Sequence, residues 1–218
     1  MAAAGRFITF EGGEGSGKST QARRLAERLR GAGLDVLLTR EPGGSPFAEQ
    51  IRGILLGGTL APHPPIAEAL LFYAARADHL EATIRPALAA GRWVICDRFS
   101  DSTRAYQGAA GGVPDAALAM LEGLVVAQSA PDATFILDID ARTGLARATR
   151  RREAVEGTEI DPFEGRALAF HERLRQGYLA IAAADPRRCV SLDASAPVDA
   201  IADRIWELVR QRFAVAVH

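Results

Sequence analysis

The chain has 218 residues, 48% hydrophobic and 24% charged, the balance of a globular domain; at roughly 150 residues per domain, that length fits one core with a small appendage. Its 26 basic and 27 acidic residues leave a formal charge of -1, which argues against a protein that coats nucleic acid, and no run reaches the ~18 apolar residues of a membrane span. Only one basic residue, Lys18, is a lysine, asparagine is absent and alanine occurs 42 times: a GC-rich genome explains scarce lysine, but not where the one lysine stands.

Short apolar runs alternate with longer amphipathic segments, the pattern of βαβ units around a parallel sheet. In chain order, a strand is expected over Arg6–Glu11, then a helix over Lys18–Ala32, where Ala22, Leu25, Ala26 and Leu29 repeat at helical spacing. A strand over Asp35–Arg40 precedes helices over Pro46–Leu56 and Pro65–Ala90, the second ended or kinked at Pro86. Then come a strand over Trp93–Asp97, helices over Ser100–Ala109 and Pro114–Gln128, a strand over Ala133–Asp138, helices over Ala141–Arg150 and Phe163–Ala184, a strand over Cys189–Leu192 and a last helix over Val198–Phe213. Ile201, Ile205, Leu208 and Val209 on that helix read as core packing. Five strands with intervening helices predict an open, doubly wound α/β domain over residues 1–218, with helices on both faces. The segment 147–162 is arginine-dense and lacks an apolar stripe; it reads as an exposed, mobile flap.

Gly12-Gly13-Glu14-Gly15-Ser16-Gly17-Lys18-Ser19 fits G-x-x-x-x-G-K-[ST], placed between a strand and a helix as that motif requires. The glycines let backbone N–H groups turn inward around phosphate oxygens, at a helix N-terminus that favours anions. Lys18 can then reach the β- and γ-phosphates, and the Ser19 hydroxyl can ligate Mg²⁺. A nucleoside triphosphate with Mg²⁺ is the implied ligand. Guanine-reading switch proteins use N-K-x-D, which a chain without asparagine or a second lysine cannot supply.

Ligands of open α/β sheets sit at the carboxyl ends of the strands. Asp97, ending an apolar strand, is therefore a candidate for holding Mg²⁺, and Arg98 offers a planar fork to a phosphate in the same crevice. Asp138 also ends a strand and competes for the metal. Cys96 reads as buried core. Cys96 and Cys189 alone cannot build a disulfide framework or a four-ligand zinc site, and the four histidines show no metal spacing. Met1 to Gly5 runs straight into the first strand without a basic leader, so a reducing cytoplasm is expected.

Four blocks in order resemble the bacterial thymidylate kinase family, P-loop nucleoside monophosphate kinases that pass the γ-phosphate of ATP to dTMP. They are Phe10-Glu11-Gly12 through Thr20, Thr39-Arg40-Glu41-Pro42-Gly43-Gly44, Leu71-Phe72-Tyr73-Ala74-Ala75-Arg76, and Asp97-Arg98-Phe99 with Ser102-Thr103 and Ala105-Tyr106-Gln107-Gly108. The resemblance covers most of residues 6 to 193, and the last three blocks are its specific part. It implies a P-loop kinase fold with a small mobile lid, and the reaction MgATP + dTMP → ADP + dTDP on the way to dTTP. It also implies no nucleic-acid partner and a homodimer.

Residue by residue, the resemblance makes Phe72 the ring that stacks on thymine and Arg76, one turn on, the donor to a thymine carbonyl. Ser102, Thr103 and Gln107 would complete the base edge, Thr103 and Gln107 sharing a face at i, i+4, and Tyr106 would crowd the sugar 2′ position. Glu14 would contact the 3′-hydroxyl. Glu41 and Arg52 would lie near the acceptor phosphate, which Arg98 would hold. Gly43 and Gly44 read as turn residues, and Pro42 is a candidate for a cis bond. The phosphate loop lacks an arginine while the flap holds Arg147, Arg150, Arg151 and Arg152, as in the family subtype that supplies catalytic arginine from the lid. Arg147 and Arg151 are the candidates. The stretch Glu153–Ile160 is long, and Pro162 stands where the family's D-R-[FI]-E has arginine, so the resemblance fixes no register there. Outside this family, the residues leave open a P-loop kinase for another small acceptor, or an ATP-hydrolysing switch module.

Overall fold

The computed structural model describes residues 5–57, 61–154 and 163–215. Its strands are β1 (Phe7–Glu11), β2 (Val36–Arg40), β3 (Trp93–Asp97), β4 (Ala133–Asp138) and β5 (Cys189–Asp193). They form a parallel sheet in the order β2-β3-β1-β4-β5. Each expected strand is present to within a residue at either end, because buried parallel strands read as apolar runs. The helices are α1 (Lys18–Gly31), α2 (Pro46–Leu56), α3 (Pro65–His79), α4 (Arg85–Ala89), α5 (Ser100–Thr103), α6 (Asp115–Val125), α7 (Ala141–Glu153), α8 (Leu168–Ala184) and α9 (Val198–Phe213).

Period-2 alternation splits β1 between two cores. Ile8 and Phe10 pack with α1 and α9 on one face, including Leu25, Leu29, Ile201, Ile205 and Val209. Phe7 faces the other side, where Tyr73, Leu80, Ile84 and Leu118 gather. A third cluster joins Ile136 of β4 to Phe170, Leu174, Tyr178 and Ile181 of α8. Helices therefore cover both faces, as expected.

Three helical expectations change. The run Pro65–Ala90 is not one regular helix: a π turn over Leu80–Ile84 separates α3 from α4, just ahead of Pro86, whose ring cannot accept a regular preceding turn. Ser100–Ala109 is likewise a short α-helix followed by a π turn over Arg104–Ala110. In the flap, residues 147–153 continue α7, and α8 starts at Leu168, not Phe163, because residues 163–166 form a turn. Residues 155–162, the remainder of the flap, lie outside the described residues.

Candidate active site

β1 delivers the chain into the phosphate loop at Gly12 (φ 135°), and α1 takes it up after Gly17 (φ 92°), backbone states that side-chain-bearing residues avoid. Contact as well as conformation excludes side chains. A Cβ on Gly12 would lie 2.5 Å from the Leu137 carbonyl oxygen, and one on Gly15 would collide with the Gly144 carbonyl oxygen in the first turn of α7. Lys18 is buried, its Nζ donating to the Gly13 carbonyl at 2.8 Å and to Ser16 Oγ at 3.4 Å. Burial first, then the nearby Arg98 charge, lower its pKa to about 8, against the pull of Glu14, Asp97 and Glu11.

The register Phe10↔Asp97 between β1 and β3 brings Asp97 out beside the loop. On β3 it shares the period-2 face of Trp93 and Ile95, which is the α1 face, and Ser19 Oγ donates to its carboxylate. The competitor Asp138 is instead gripped by Arg175, at 2.6 and 2.8 Å. One hydroxyl and one carboxylate suit Mg²⁺, which keeps few protein ligands and completes its shell with water and phosphates. No set of three His, Cys, Asp or Glu side chains occurs among the described residues to make a closed cation cage.

Arg98 follows with φ 69°, a strained state for a non-glycine residue that costs about 1–3 kcal/mol. Its backbone is pinned on both sides: Arg98 N–H donates to the Phe10 carbonyl at 2.9 Å, and Phe99 N–H to Glu11 Oε1 at 2.7 Å. Its guanidinium donates to the Gly12 carbonyl (3.1 Å), Ser102 Oγ (3.3 Å), Tyr178 Oη (3.3 Å), Glu14 Oε1 (2.8 Å) and Tyr106 Oη (3.0 Å). Tyr106 Oη also donates to Glu14. Burial opposes ionisation of Glu14, but Arg98 and Lys18 outweigh it and bring its pKa down to about 2.

The cleft continues along Arg52, Phe72, Ser102, Thr103, Tyr106 and Gln107, with Glu41 and Pro42 on one wall. The Glu41–Pro42 peptide is cis. Arg52 Nη1 donates to the Pro42 carbonyl at 2.8 Å, and Gln107 Nε2 to Glu68 Oε2 at 3.1 Å. Thr103 and Gln107 still share the cleft although the intervening turn is π. Arg76 stands behind this wall rather than on it. It is 1% exposed and donates to Glu41 Oε2 (2.8 Å), Thr103 Oγ1 (3.2 Å) and the Phe99 carbonyl (3.1 Å). Glu41 also receives His79 Nδ1 at 3.0 Å. Of the flap arginines, Arg151 lines the cleft, whereas Arg147 turns to the Ala194 carbonyl at 2.8 Å.

Several residues of this site carried no assignment from sequence. Glu11, fully buried, accepts Ser102 Oγ at 2.6 Å and Tyr178 Oη at 3.3 Å. Burial, then the charge of Asp101, push its pKa up to about 7. Its signal was an acid ending a strand with no other polar residue except Thr9. Tyr178, Glu68 and Arg166 reach the site through the tertiary fold, and no local motif marks them; Phe163 falls at the [FI] of D-R-[FI]-E but carried no role. Arg166 donates to Glu68 at 2.5 Å and lies 4.6 Å from both the Phe163 and Phe170 ring centres. Phe163 in turn faces Tyr106 edge-on at 5.5 Å and Phe72 at 6.0 Å.

The comparisons agree with this geometry. The family model described as thymidylate kinase matches residues 10–205. A thymidylate kinase of Caulobacter vibrioides is 55% identical over 208 residues, covering 95% of this chain and 97% of its own. One of Afipia carboxidovorans is 53% identical over 214 residues, covering 98% and 92%. The crystal structure of thymidylate kinase from Ehrlichia chaffeensis superposes with a TM-score of 0.75 at 33% identity, covering 95% of this chain and 99% of that one. Matched over residues 10–205 by the family model and more than half identical to these curated relatives along nearly its whole length, on the same fold, the chain belongs to the thymidylate kinase family.

Proposed function

We propose that the chain transfers the γ-phosphoryl group of ATP to dTMP, giving ADP and dTDP on the route to dTTP. The observation that carries this reading is the continuity of the cleft: Lys18, Ser19 and Asp97 at one end, Phe72 and Gln107 at the other, and Arg98 between them. No covalent intermediate is needed; positioning and charge stabilisation carry the chemistry. Lys18 holds the donor phosphates. Ser19 and Asp97 are the groups that would hold Mg²⁺, which would supply charge neutralisation for the donor phosphates. Arg98 and Arg52 hold the acceptor phosphate. Phe72 stacks on thymine, with Ser102, Thr103 and Gln107 toward the base edge, Arg76 behind them holding Thr103 and Glu41 in place, Tyr106 and Glu14 at the sugar and Glu41 beside the acceptor phosphate.

Segment 147–162 acts in this reading as a lid that excludes water and brings in arginine. Arg151, already on the cleft with its side chain 67% exposed, suits the transferring phosphoryl group. Arg147 contributes from the base of the lid. Exposed Phe47 and Ile54 on α2, Ile66 and Leu70 on α3, and Met120 and Leu124 on α6 offer an apolar face for a homodimer. Both cysteines are free and buried, and no described helix is long and apolar enough to cross a membrane; a cytoplasmic setting fits both. A coupled ADP-release assay with dTMP, dUMP, dCMP and dGMP tests the acceptor. A marked preference for dTMP is expected, and equal rates for all four would undo the thymine recess.

A further inference from the structure

A fully buried acid outside the assigned roles, Glu11, shares two hydroxyl partners with Arg98. Glu11 ends β1 on the same period-2 face as Phe7 and Thr9, turned away from α1 and toward α8. Three donors converge on its carboxylate: the Phe99 amide on Oε1, and the Ser102 and Tyr178 hydroxyls on Oε2. Those two hydroxyls lie 2.9 Å apart and are also the ones that receive Arg98 Nη1. A hydroxyl that gives its proton to a carboxylate turns its lone pairs toward the opposite side, which here is the guanidinium. Glu11 thus reaches Arg98 by two routes. The amide route fixes the strained backbone at φ 69°, and the hydroxyl route orients the acceptors that aim the fork.

We propose that Glu11 is a positioning residue that sets Arg98 for the acceptor phosphate through the Phe99 amide and the Ser102–Tyr178 hydroxyl pair. The proposal rests on the reading that Arg98 holds that phosphate. Glu11 itself touches no substrate: it is fully buried and absent from the residues that line the cleft. A neutral amide of the same size would present an N–H₂ group to at least one of the three donors, leaving that donor unpaired and the fork misaimed. The chain therefore keeps an acid at a position where burial alone would favour an apolar residue.

The test is a double-mutant cycle on the full chain, reading kcat and KM for dTMP together with MgATP affinity. Glu11→Gln is expected to lower kcat/KM for dTMP by about tenfold or more while leaving MgATP affinity within about twofold, since a misaimed donor is worth that order. In an Arg98→Ala background, the same Glu11→Gln change should cost less than about twofold, because its object is gone. An equal loss in both backgrounds, or an equal fall in MgATP affinity, would overturn the proposal and leave Glu11 with a general packing role. If Glu11→Gln does not fold, Glu11→Asp keeps the charge but shortens its reach to the Phe99 amide and the two hydroxyls, and its effect must collapse in the Arg98→Ala background in the same way. Should Arg98→Ala itself leave dTMP turnover unchanged, the reading of Arg98 fails rather than that of Glu11, so the two failures are distinct.

Discussion

At the phosphate-loop end the cleft is walled by backbone against backbone: Gly12 on the Leu137 carbonyl, Gly15 and Gly144 on each other's turns, none with room for a Cβ. At the base end it is walled by interlocked side chains. Glu68 alone accepts from His63, Gln107 and Arg166, and Arg166 lies over two phenylalanine rings. The difference matches what each end must hold. Phosphate is small and uniform, and a rigid cradle of amides suits it; a base needs shape and edge, which only side chains supply. Hence the first end tolerates no added atoms at Gly12, Gly15 or Gly144, while the second tolerates exchange of one packing partner at a graded cost.

The largest effect is expected where the loop end loses its only ammonium. Lys18→Ala should reduce dTDP formation to below about 1% of wild type, since a single charge-stabilising donor is typically worth 10²–10³-fold; substantial residual turnover would remove Lys18 from its role. The next effect is in stability, and has opposite signs at two carboxylates, one within the loop and one ending β1 just before it. Glu14 titrates at about 2 in the folded chain instead of 4.5, so it stabilises above the ordinary value and that contribution, about 3 kcal/mol, is lost as pH falls toward 2. Glu11 titrates at about 7, so the folded state binds the proton more tightly, and its contribution falls as pH rises from 4.5 through 7. Denaturant midpoints should show wild type losing its advantage over Glu14→Gln between about pH 5 and pH 3, and losing ground to Glu11→Gln between about pH 5 and pH 8. Parallel slopes for the two variants would contradict both assignments.

What the sequence made legible follows the same division. Backbone-built features carry local signatures: glycine spacing marked the loop, and apolar runs such as Trp93–Cys96 marked strands whose ends locate Asp97. The lone lysine was placed by the same logic, because a slim ammonium fits a cradle of amides where arginine's fork does not. Side-chain-built features were legible only as far as the family resemblance reached, to Phe72, Tyr106 and Gln107. It covered Glu11 without giving it a role, and it assigned nothing to Tyr178, Glu68 or Arg166, whose partners lie up to 167 residues away. Nor can periodicity over five to seven residues distinguish a π turn from an α turn, which is why Leu80–Ile84 and Arg104–Ala110 read as ordinary helix. Arg76 shows the limit from the other side: the motif placed it on the base edge, yet it is buried behind Thr103 and Glu41, held by neighbours that no local pattern encodes.

The rigidity of the loop end can be probed without touching a charged group. Gly144 lies in the first turn of α7, where a Cβ would meet the Glu14 carbonyl oxygen at 2.5 Å. Gly144→Ala should cost about 1–3 kcal/mol, as overpacking does, and lower kcat because the displaced atom belongs to the phosphate loop. Thermal melting and steady-state kinetics on one preparation would check both; an unchanged kcat would mean that the loop and the base of α7 move independently.

The smallest effect is expected at the base end, and it decides whether side-chain walls really give way by degrees. Arg166→Ala removes the ion pair to Glu68 and both ring contacts, yet Glu68 keeps His63 and Gln107 as donors, so no buried carboxylate is left bare. The exposed fraction of the Arg166 side chain, 28%, further screens the pair. The ring contacts are worth about 0.5–1 kcal/mol at partly exposed sites, so the melting point should fall only slightly. The KM for dTMP should rise by roughly three- to tenfold as Phe163 loses its backing beside Phe72, since a mispositioned wall weakens ground-state binding of the base. KM for MgATP should not move, because nothing in the chain of contacts from Arg166 through Phe163 to Tyr106 ends on Lys18 or Ser19. A matching rise in both KM values would show that the two ends of the cleft are mechanically one.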